Sequence, residues 1–275
     1  MKLYRTTAGV VAESDGRFVA LPDDWDALIN YDDLHKYLSR AVSSGRALGA
    51  LTAPILAPIG QQEVWAAGVT YYRSRAARIE ESRDAGGGTF YDRVYDAQRP
   101  ELFFKSAAWR VRGPGEPVRI RRDARWSVPE PEIAVCVNAR GAIVGYTIGN
   151  DMSSRDIEGE NPLYLSQAKI YDGACALGPA LLVTNGLLSP ETSIGIRVDR
   201  LGEEVFSGET TYSQLRRSPS DLVEFLYRET SFPNGCVLLT GTGIVPDADF
   251  TLLPGDEISI NVPPIGVLTN AVAGK

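Results

Sequence analysis

Residues 129–151 read PEPEIAVCVNARGAIVGYTIGND, two apolar runs on either side of the turn-forming Asn138-Ala139-Arg140-Gly141. Runs rich in Ile, Val and Tyr around such a cluster predict a β-hairpin. Glu130 and Glu132 stand two apart in the first strand, so both side chains leave the same face. An even-length loop pairs Val137 with Ala142, Glu132 with Thr147 and Glu130 with Gly149. On that register Asp151 lies on the glutamates' face, diagonal to Glu130 and about 7–8 Å away, and Gly149 leaves room for an ion. A three-residue loop puts Asp151 on the other face.

Carboxylates gathered on one face repel one another and raise each other's pKa unless a cation offsets them. An all-oxygen donor set suits Mg²⁺ or Mn²⁺, with Ca²⁺ also compatible, and the lack of a nearby His or Cys argues against zinc. The competing reading is a solvated strand face, and spacing alone leaves both open. Pro129 and Pro131 favour a site modestly, since they fix the strand end and remove competing N–H donors.

Working outward, the first sixty residues read as a small module. LYRTTAGVVAES, a turn at Asp15-Gly16 and RFVAL predict a hairpin, and YDDLHKYLSRAVSSG a helix with Leu34, Leu38 and Val42 on one face and Gly45 as its stop. TAPILAPIG behaves as a linker, because its prolines cannot propagate a helix or a central strand. VWAAGV is a buried strand, and helices are expected in 70–98 around Gly86-Gly87-Gly88. ELFFKSA, PVRI, AIVGYTIGN, ALLVT, SIGIRVD, CVLLTG and EISINVP are strands, and SDLVEFLYRET a helix capped by Ser220. The expectation is a mostly β, α+β protein, with residues 1–60 as an N-terminal α/β module and 61–275 as the main domain.

A net charge of −7 without a Lys/Arg cluster argues against nucleic acid as a partner. No stretch approaches the roughly 18 apolar residues that span a bilayer, and the N-terminus lacks a signal-peptide core, so the expected location is the cytoplasm. Cys136, Cys175 and Cys236 stand in apolar contexts and read as small core residues rather than a disulfide framework.

Residues 64–271 resemble the fumarylacetoacetate hydrolase family. GVTYYRS, RPELFFK, VPEPEIAVCV, GYTIGNDMSSRDIE, QAKIYDG, LLTGTG and GDEISINV-to-IGVLTN carry the resemblance, in the family's order. It implies a mixed β-sandwich roll, a homodimer or homotetramer, and Mg²⁺ on Glu130, Glu132 and Asp151. TYYRSRAARIEES, YDRVYDAQRPELFFK and NDMSSRDIEGENPLYLSQAKIYDG are most similar to the family's dehydratases of 2-keto-3-deoxy-pentonates, of the D-arabinonate type. Hydrolytic members carry G-x-N-Y-x-x-H-x-x-E in the first segment. Here Ser74 and Ala77 occupy the His and Glu positions, and His35 is the chain's one histidine.

The resemblance implies that Lys169 and Glu101 are catalytic, where the residues alone favour a snorkelling surface lysine and a strand-end surface glutamate. Arg73 would hold the substrate carboxylate bidentately, Arg155 is a rival for that role or a structural partner of the carboxylates, and Thr242, in Thr240-Gly241-Thr242-Gly243, would contact substrate. Lys105, Tyr171 and Asp156 stay open between packing and site. Gly86-Gly87-Gly88 has a hinge's composition, so residues 71–98 are a candidate closing segment. The expected activity is dehydration of the sugar acid to 2-oxoglutarate semialdehyde through a metal-stabilised enolate. The alternative is C–C hydrolysis of an acylpyruvate or diketo acid, or oxaloacetate decarboxylation.

Overall fold

The computed structural model describes residues 1–71 and 94–274. Its strands are β1 (Lys2–Thr6), β2 (Gly9–Ser14), β3 (Arg17–Leu21), β4 (Ala47–Leu48), β5 (Glu63–Gly68), β6 (Glu101–Ala107), β7 (Ser127–Val128) and β8 (Pro131–Val137). They continue with β9 (Ile143–Asp151), β10 (Ser153–Ser154), β11 (Cys175–Leu182), β12 (Ser193–Arg200), β13 (Glu203–Thr211), β14 (Cys236–Leu239), β15 (Glu257–Val262) and β16 (Gly266–Ala271). Ten form one sheet in the order β4-β3-β2-β1-β11-β9-β8-β14-β5-β6, four form a second, β13-β12-β15-β16, and β7 pairs with β10. The β14–β5 pair is parallel and the other pairs of the large sheet antiparallel, which makes that sheet mixed.

Strand β8 shows why its sequence does not alternate apolar with polar. Ile133, Val135 and Val137 pack in a core with Ile194, Ile196, Ile258 and Ile260 of the smaller sheet. Ala134 and Cys136 pack on the opposite face, in a core with Leu177, Leu181, Val237 and Leu239 and the N-terminal helices' Leu28, Leu34 and Leu38. A strand covered on both faces is apolar throughout, and all seven residues of β8 are buried.

The β8–β9 hairpin forms as expected, but its register differs from the sequence reading. Val137 pairs with Ile143 rather than Ala142. That one-residue change alone would turn Asp151 to the wrong face. Val144 then stands as the extra residue of a β-bulge, and from Cys136–Gly145 onward the shift is undone in parity. Glu132 therefore faces Gly149, and Asp151 comes opposite Glu130, its N–H donating to the Glu130 carbonyl at 3.0 Å. Gly149 does not make room for an ion. A Cβ there would lie 2.1 Å from Leu239 Cδ2, so the glycine admits the leucine.

The N-terminal segment is a meander rather than one hairpin. LYRTTAGVVAES breaks at Thr7-Ala8 into β1 and β2, with Gly9 at φ +119°, and Asp15-Gly16 turns into β3 as expected. Strand β1 also pairs with β11, Leu3 opposite Leu181, so these strands extend the large sheet. The helix Leu34–Ser44 buries Leu34, Leu38 and Val42 and ends at Gly45, while the short helix Trp25–Ile29 was not anticipated. The helix Pro219–Tyr227 is capped by Ser218, not Ser220, with Pro219 in its first turn. PVRI forms no strand, only the isolated bridge Val118–Val272. The three cysteines are buried and unpaired. Among the described residues no helix is long and apolar enough to cross a membrane.

Candidate active site

Glu130 and Glu132, at the start of β8, and Asp151, at the end of β9, converge so that one oxygen of each lies within 4.8 Å of the others. All three are buried. This is not a solvated strand face. Below β9 the chain runs through Ser153 and Ser154 into the helix Arg155–Glu160, and the helix Leu165–Lys169 then delivers Lys169 back to the carboxylates. The Lys169 ammonium donates to Glu130 Oε2 at 2.7 Å, Asp151 Oδ2 at 3.0 Å and Ser153 Oγ at 2.6 Å. A buried ammonium carries three N–H donors, and these acceptors match them.

Arg155 Nη2 donates to the other oxygen of Glu130 at 2.7 Å. The arginine is buried, so here it is an ion-pair partner of the carboxylates, one of the two roles its sequence position suggested. Glu158, also buried, lies 3.9 Å from both Arg155 Nε and Lys169 Nζ. Lys105 pairs with Asp151 Oδ1.

Glu132 differs from its neighbours. Its hydrogen bond comes from Gly241 N–H, to Oε2 at 2.5 Å, and no side-chain cation pairs with it among the described residues. Burial, then the charges of Asp151 and Glu130, push its pKa well above 4.5, against the smaller pull of Lys169 and the Gly241 N–H. Three hard oxygen donors, one of them uncompensated, fit a divalent cation of the Mg²⁺, Mn²⁺ or Ca²⁺ type. The soft donor at hand is Cys175, opposite Asp151 on β11, and burial raises its pKa to about 12, so it stays a thiol. His35 lies on the helix Leu34–Ser44, which packs on β2 and β3 in the N-terminal segment.

Glu101 opens β6 opposite Gly68 of β5. A Cβ at Gly68 would lie 2.0 Å from Glu101 Oε2, so the glycine lets the carboxylate lie across β5. Thr242 follows Gly241 in the loop after β14, beside the contact to Glu132. Its hydroxyl exchanges hydrogen bonds of 3.2 Å with the backbone of Ile244. Arg73, Ser74 and Ala77 lie outside the described residues, as does most of the 71–98 segment. Asp156 accepts from Arg125 N–H at 2.7 Å. Sequence reasoning missed Ser153, for which a serine two residues after a candidate ligand was the available signal.

A double-covered mixed sheet with a buried Glu-x-Glu…Asp cluster at the strand ends defines the class. The fumarylacetoacetate (FAA) hydrolase C-terminal family model matches residues 69–273, and the chain belongs to that family. It is 45% identical over 216 residues to the probable 2-keto-3-deoxyxylonate dehydratase of Haloferax volcanii, covering 78% of this chain and 73% of the relative. It is 41% identical over 220 residues to the 2-dehydro-3-deoxy-D-arabinonate dehydratase of Saccharolobus solfataricus, covering 79% and 74%. The structure of 2-keto-3-deoxy-D-arabinonate dehydratase complexed with magnesium and 2,5-dioxopentanoate superposes with a TM-score of 0.85 at 33% identity, over 100% of this chain and 99% of that one.

Proposed function

We propose that this chain removes water from a 2-keto-3-deoxy-pentonate to give 2,5-dioxopentanoate, which is 2-oxoglutarate semialdehyde. The observation that carries the reading is the Lys169 ammonium seated between Glu130 and Asp151 in a buried, all-carboxylate cluster. The relatives named above act on such acids, and the magnesium-bound structure holds the expected product. D-arabinonate and D-xylonate differ only at C2 and C3, and neither carbon is a stereocentre in the 2-keto-3-deoxy acid. For the D series the two relatives' names therefore describe one compound, and C4 is the centre left to discriminate.

Glu130, Glu132 and Asp151 would hold the cation. A bound Mg²⁺ would supply Lewis-acid polarisation of the 2-oxo group, which acidifies the C3–H bond. Lys169 and Glu101 divide the proton work: one takes the C3 proton and the other protonates the departing C4 hydroxyl, which leaves as water. The resulting 5-hydroxy-3-ene shifts a proton from C5 to C3 to give the 4,5-enol, whose hydroxyl proton then moves to C4 and leaves the C5 aldehyde. Arg73 would hold the substrate carboxylate, and Thr242 would line the site beside Gly241. Arg155, tied to Glu130, supports the cluster rather than reaching outward. We assign Glu101 as the second proton carrier because Gly68 keeps the space over β5 open for it.

The test is mass-resolved product analysis on EDTA-treated and Mg²⁺-reloaded protein, offered both C4 enantiomers of the 2-keto-3-deoxy-pentonate, an acylpyruvate and oxaloacetate. Metal-dependent 2,5-dioxopentanoate from one enantiomer is expected. Pyruvate from the acylpyruvate or oxaloacetate, with no dehydration, would overturn the reading. A homodimer or homotetramer in the cytoplasm accompanies this proposal, and sedimentation of the purified chain and fractionation of its host check both.

A further inference from the structure

Strand β6 carries a bulge that the activity does not by itself call for. Val64 of β5 pairs with Ser106 and Trp65 with Phe104, so Lys105 between them has no partner in the ladder. A bulge re-aims the side chain of its extra residue, and this one turns a lysine into the protein. Lys105 is 1% exposed. Its ammonium pairs with Asp151 Oδ1 and donates to the Met152 carbonyl at 2.9 Å and the Lys169 carbonyl at 2.6 Å. One ammonium thus ties together a carboxylate and two carbonyls, from two segments that are 17 residues apart in the chain.

Each acceptor bears on the site. The Lys169 carbonyl ends the short helix Leu165–Lys169, where helical carbonyls lack intrahelical partners. The Met152 carbonyl follows Asp151 directly. Asp151 has Oδ1 toward Lys105 and Oδ2 toward Lys169. Lys105 thus fixes the carboxylate plane of Asp151 and the backbone position of Lys169 with one group. A surface lysine would do neither.

Building on the proposed metal-dependent function, we propose that Lys105 is a positioning residue. It orients Asp151 as a cation ligand and holds Lys169 in register with it. Two simpler roles predict different results. If Lys105 acted only through its charge, removing it would leave Asp151 a stronger ligand, and the cation would bind more tightly. If it only stabilised the fold, the folded fraction of a variant would bind the cation as wild type does. Positioning predicts weaker binding by the folded protein, in the range of 10- to 100-fold seen when groups behind metal ligands are removed.

The experiment measures Mn²⁺ affinity by electron paramagnetic resonance on full-length wild type, Lys105→Met and Lys105→Gln, with folding checked by circular dichroism. Steady-state dehydration follows on the same samples. The expected result is Mn²⁺ binding at least tenfold weaker in Lys105→Met, less weakened in Lys105→Gln, whose amide still donates to a carbonyl. At saturating Mn²⁺, kcat should fall at least tenfold while KM stays within about threefold, because the substrate contacts are untouched. Equal or tighter Mn²⁺ binding in a folded variant overturns this inference alone. A wild type that binds no Mn²⁺ overturns the metal reading and this inference with it. Should neither variant fold, a crystal structure of Mn²⁺-loaded wild type decides: Lys105 on Asp151 Oδ1 supports positioning, and Lys105 turned away from it overturns it.

Discussion

Lys169 and Glu132 show how two buried groups in one cluster come to have different jobs. Lys169 is held by two carboxylates and a serine, so replacing it leaves Glu130 Oε2, Asp151 Oδ2 and Ser153 Oγ facing one another, with Arg155 and Lys105 still paired to the carboxylates' other oxygens. Lys169→Met should lower kcat by about 10²–10⁴-fold, the usual span for a lost acid or base. Product formation at saturating Mg²⁺ checks this, and a loss below tenfold would remove Lys169 from the proton path. Among the described residues no side-chain cation pairs with Glu132, and burial with its acidic neighbours raises its pKa well above 4.5. In metal-free protein the folded chain thus keeps a proton that the unfolded chain releases near that pH. The stability from this group is full below the unfolded pKa and is lost as pH rises through the folded one. Glu132→Gln mimics the protonated form. In EDTA it should match wild type at acid pH and exceed it by on the order of 1 kcal/mol at pH 8, while Mg²⁺-dependent activity disappears. Urea unfolding at pH 5 and pH 8 reads the difference, and identical pH trends for both proteins would refute it.

At the scale of the element, the hairpin and the loop after β14 set where these groups stand. The two strands and their shared face were legible in PEPEIAVCV and AIVGYTIGND, because β-branched apolar runs and a polar turn are local signals and residues two apart on a strand share a face. The register was not. It depends on where the Asn138 side chain closes the turn, through its Oδ1 accepting from Arg140 and Ala142 N–H, and on a bulge at Val144 that no local pattern announces. Two one-residue departures cancelled in parity, so Asp151 reached the expected face by an unexpected path. Lys105 was illegible for the same reason: its strand was evident, the bulge that aims it was not. Gly241 is a further case. It has φ +95°, a Cβ would lie 1.9 Å from Thr70 Oγ1, and its N–H holds Glu132. Gly241→Ala should destabilise the protein by about 1–3 kcal/mol and weaken Mg²⁺ binding by about tenfold. Calorimetric titration of the folded variant checks the second part. Unchanged affinity with lowered stability would mean that the loop supports the fold without orienting Glu132.

Across the whole molecule, the cluster joins pieces that only the folded chain brings together. Glu132 comes from β8 and Glu130 from just before it, Asp151 from β9, Lys169 from a helix beyond them and Lys105 from the far edge strand β6. The family resemblance made this assembly readable before any coordinates, since Glu130, Glu132 and Asp151 lie within a 22-residue span and Lys169 follows 18 residues later. The distant members, Lys105 and Gly241, needed the sheet order that sets β14 beside β8 and closes β6 over β5. An unfolded chain spreads these groups apart and cannot present them to one ion, so a cation that binds the native cluster stabilises the whole fold by mass action. Mg²⁺ at about 100 times its dissociation constant contributes about 2.7 kcal/mol. For a chain of this size that is about 5 °C in Tm. Thermal melts of EDTA-treated protein against increasing Mg²⁺ should show that rise, with Mn²⁺ acting similarly. Asp151→Asn and Glu132→Gln should lose most of it, whereas a charge change on an exposed strand, such as Glu203→Gln, should keep it. A rise of equal size in all three variants would mean that the ion acts on surface charge, and that the buried carboxylates do not hold it.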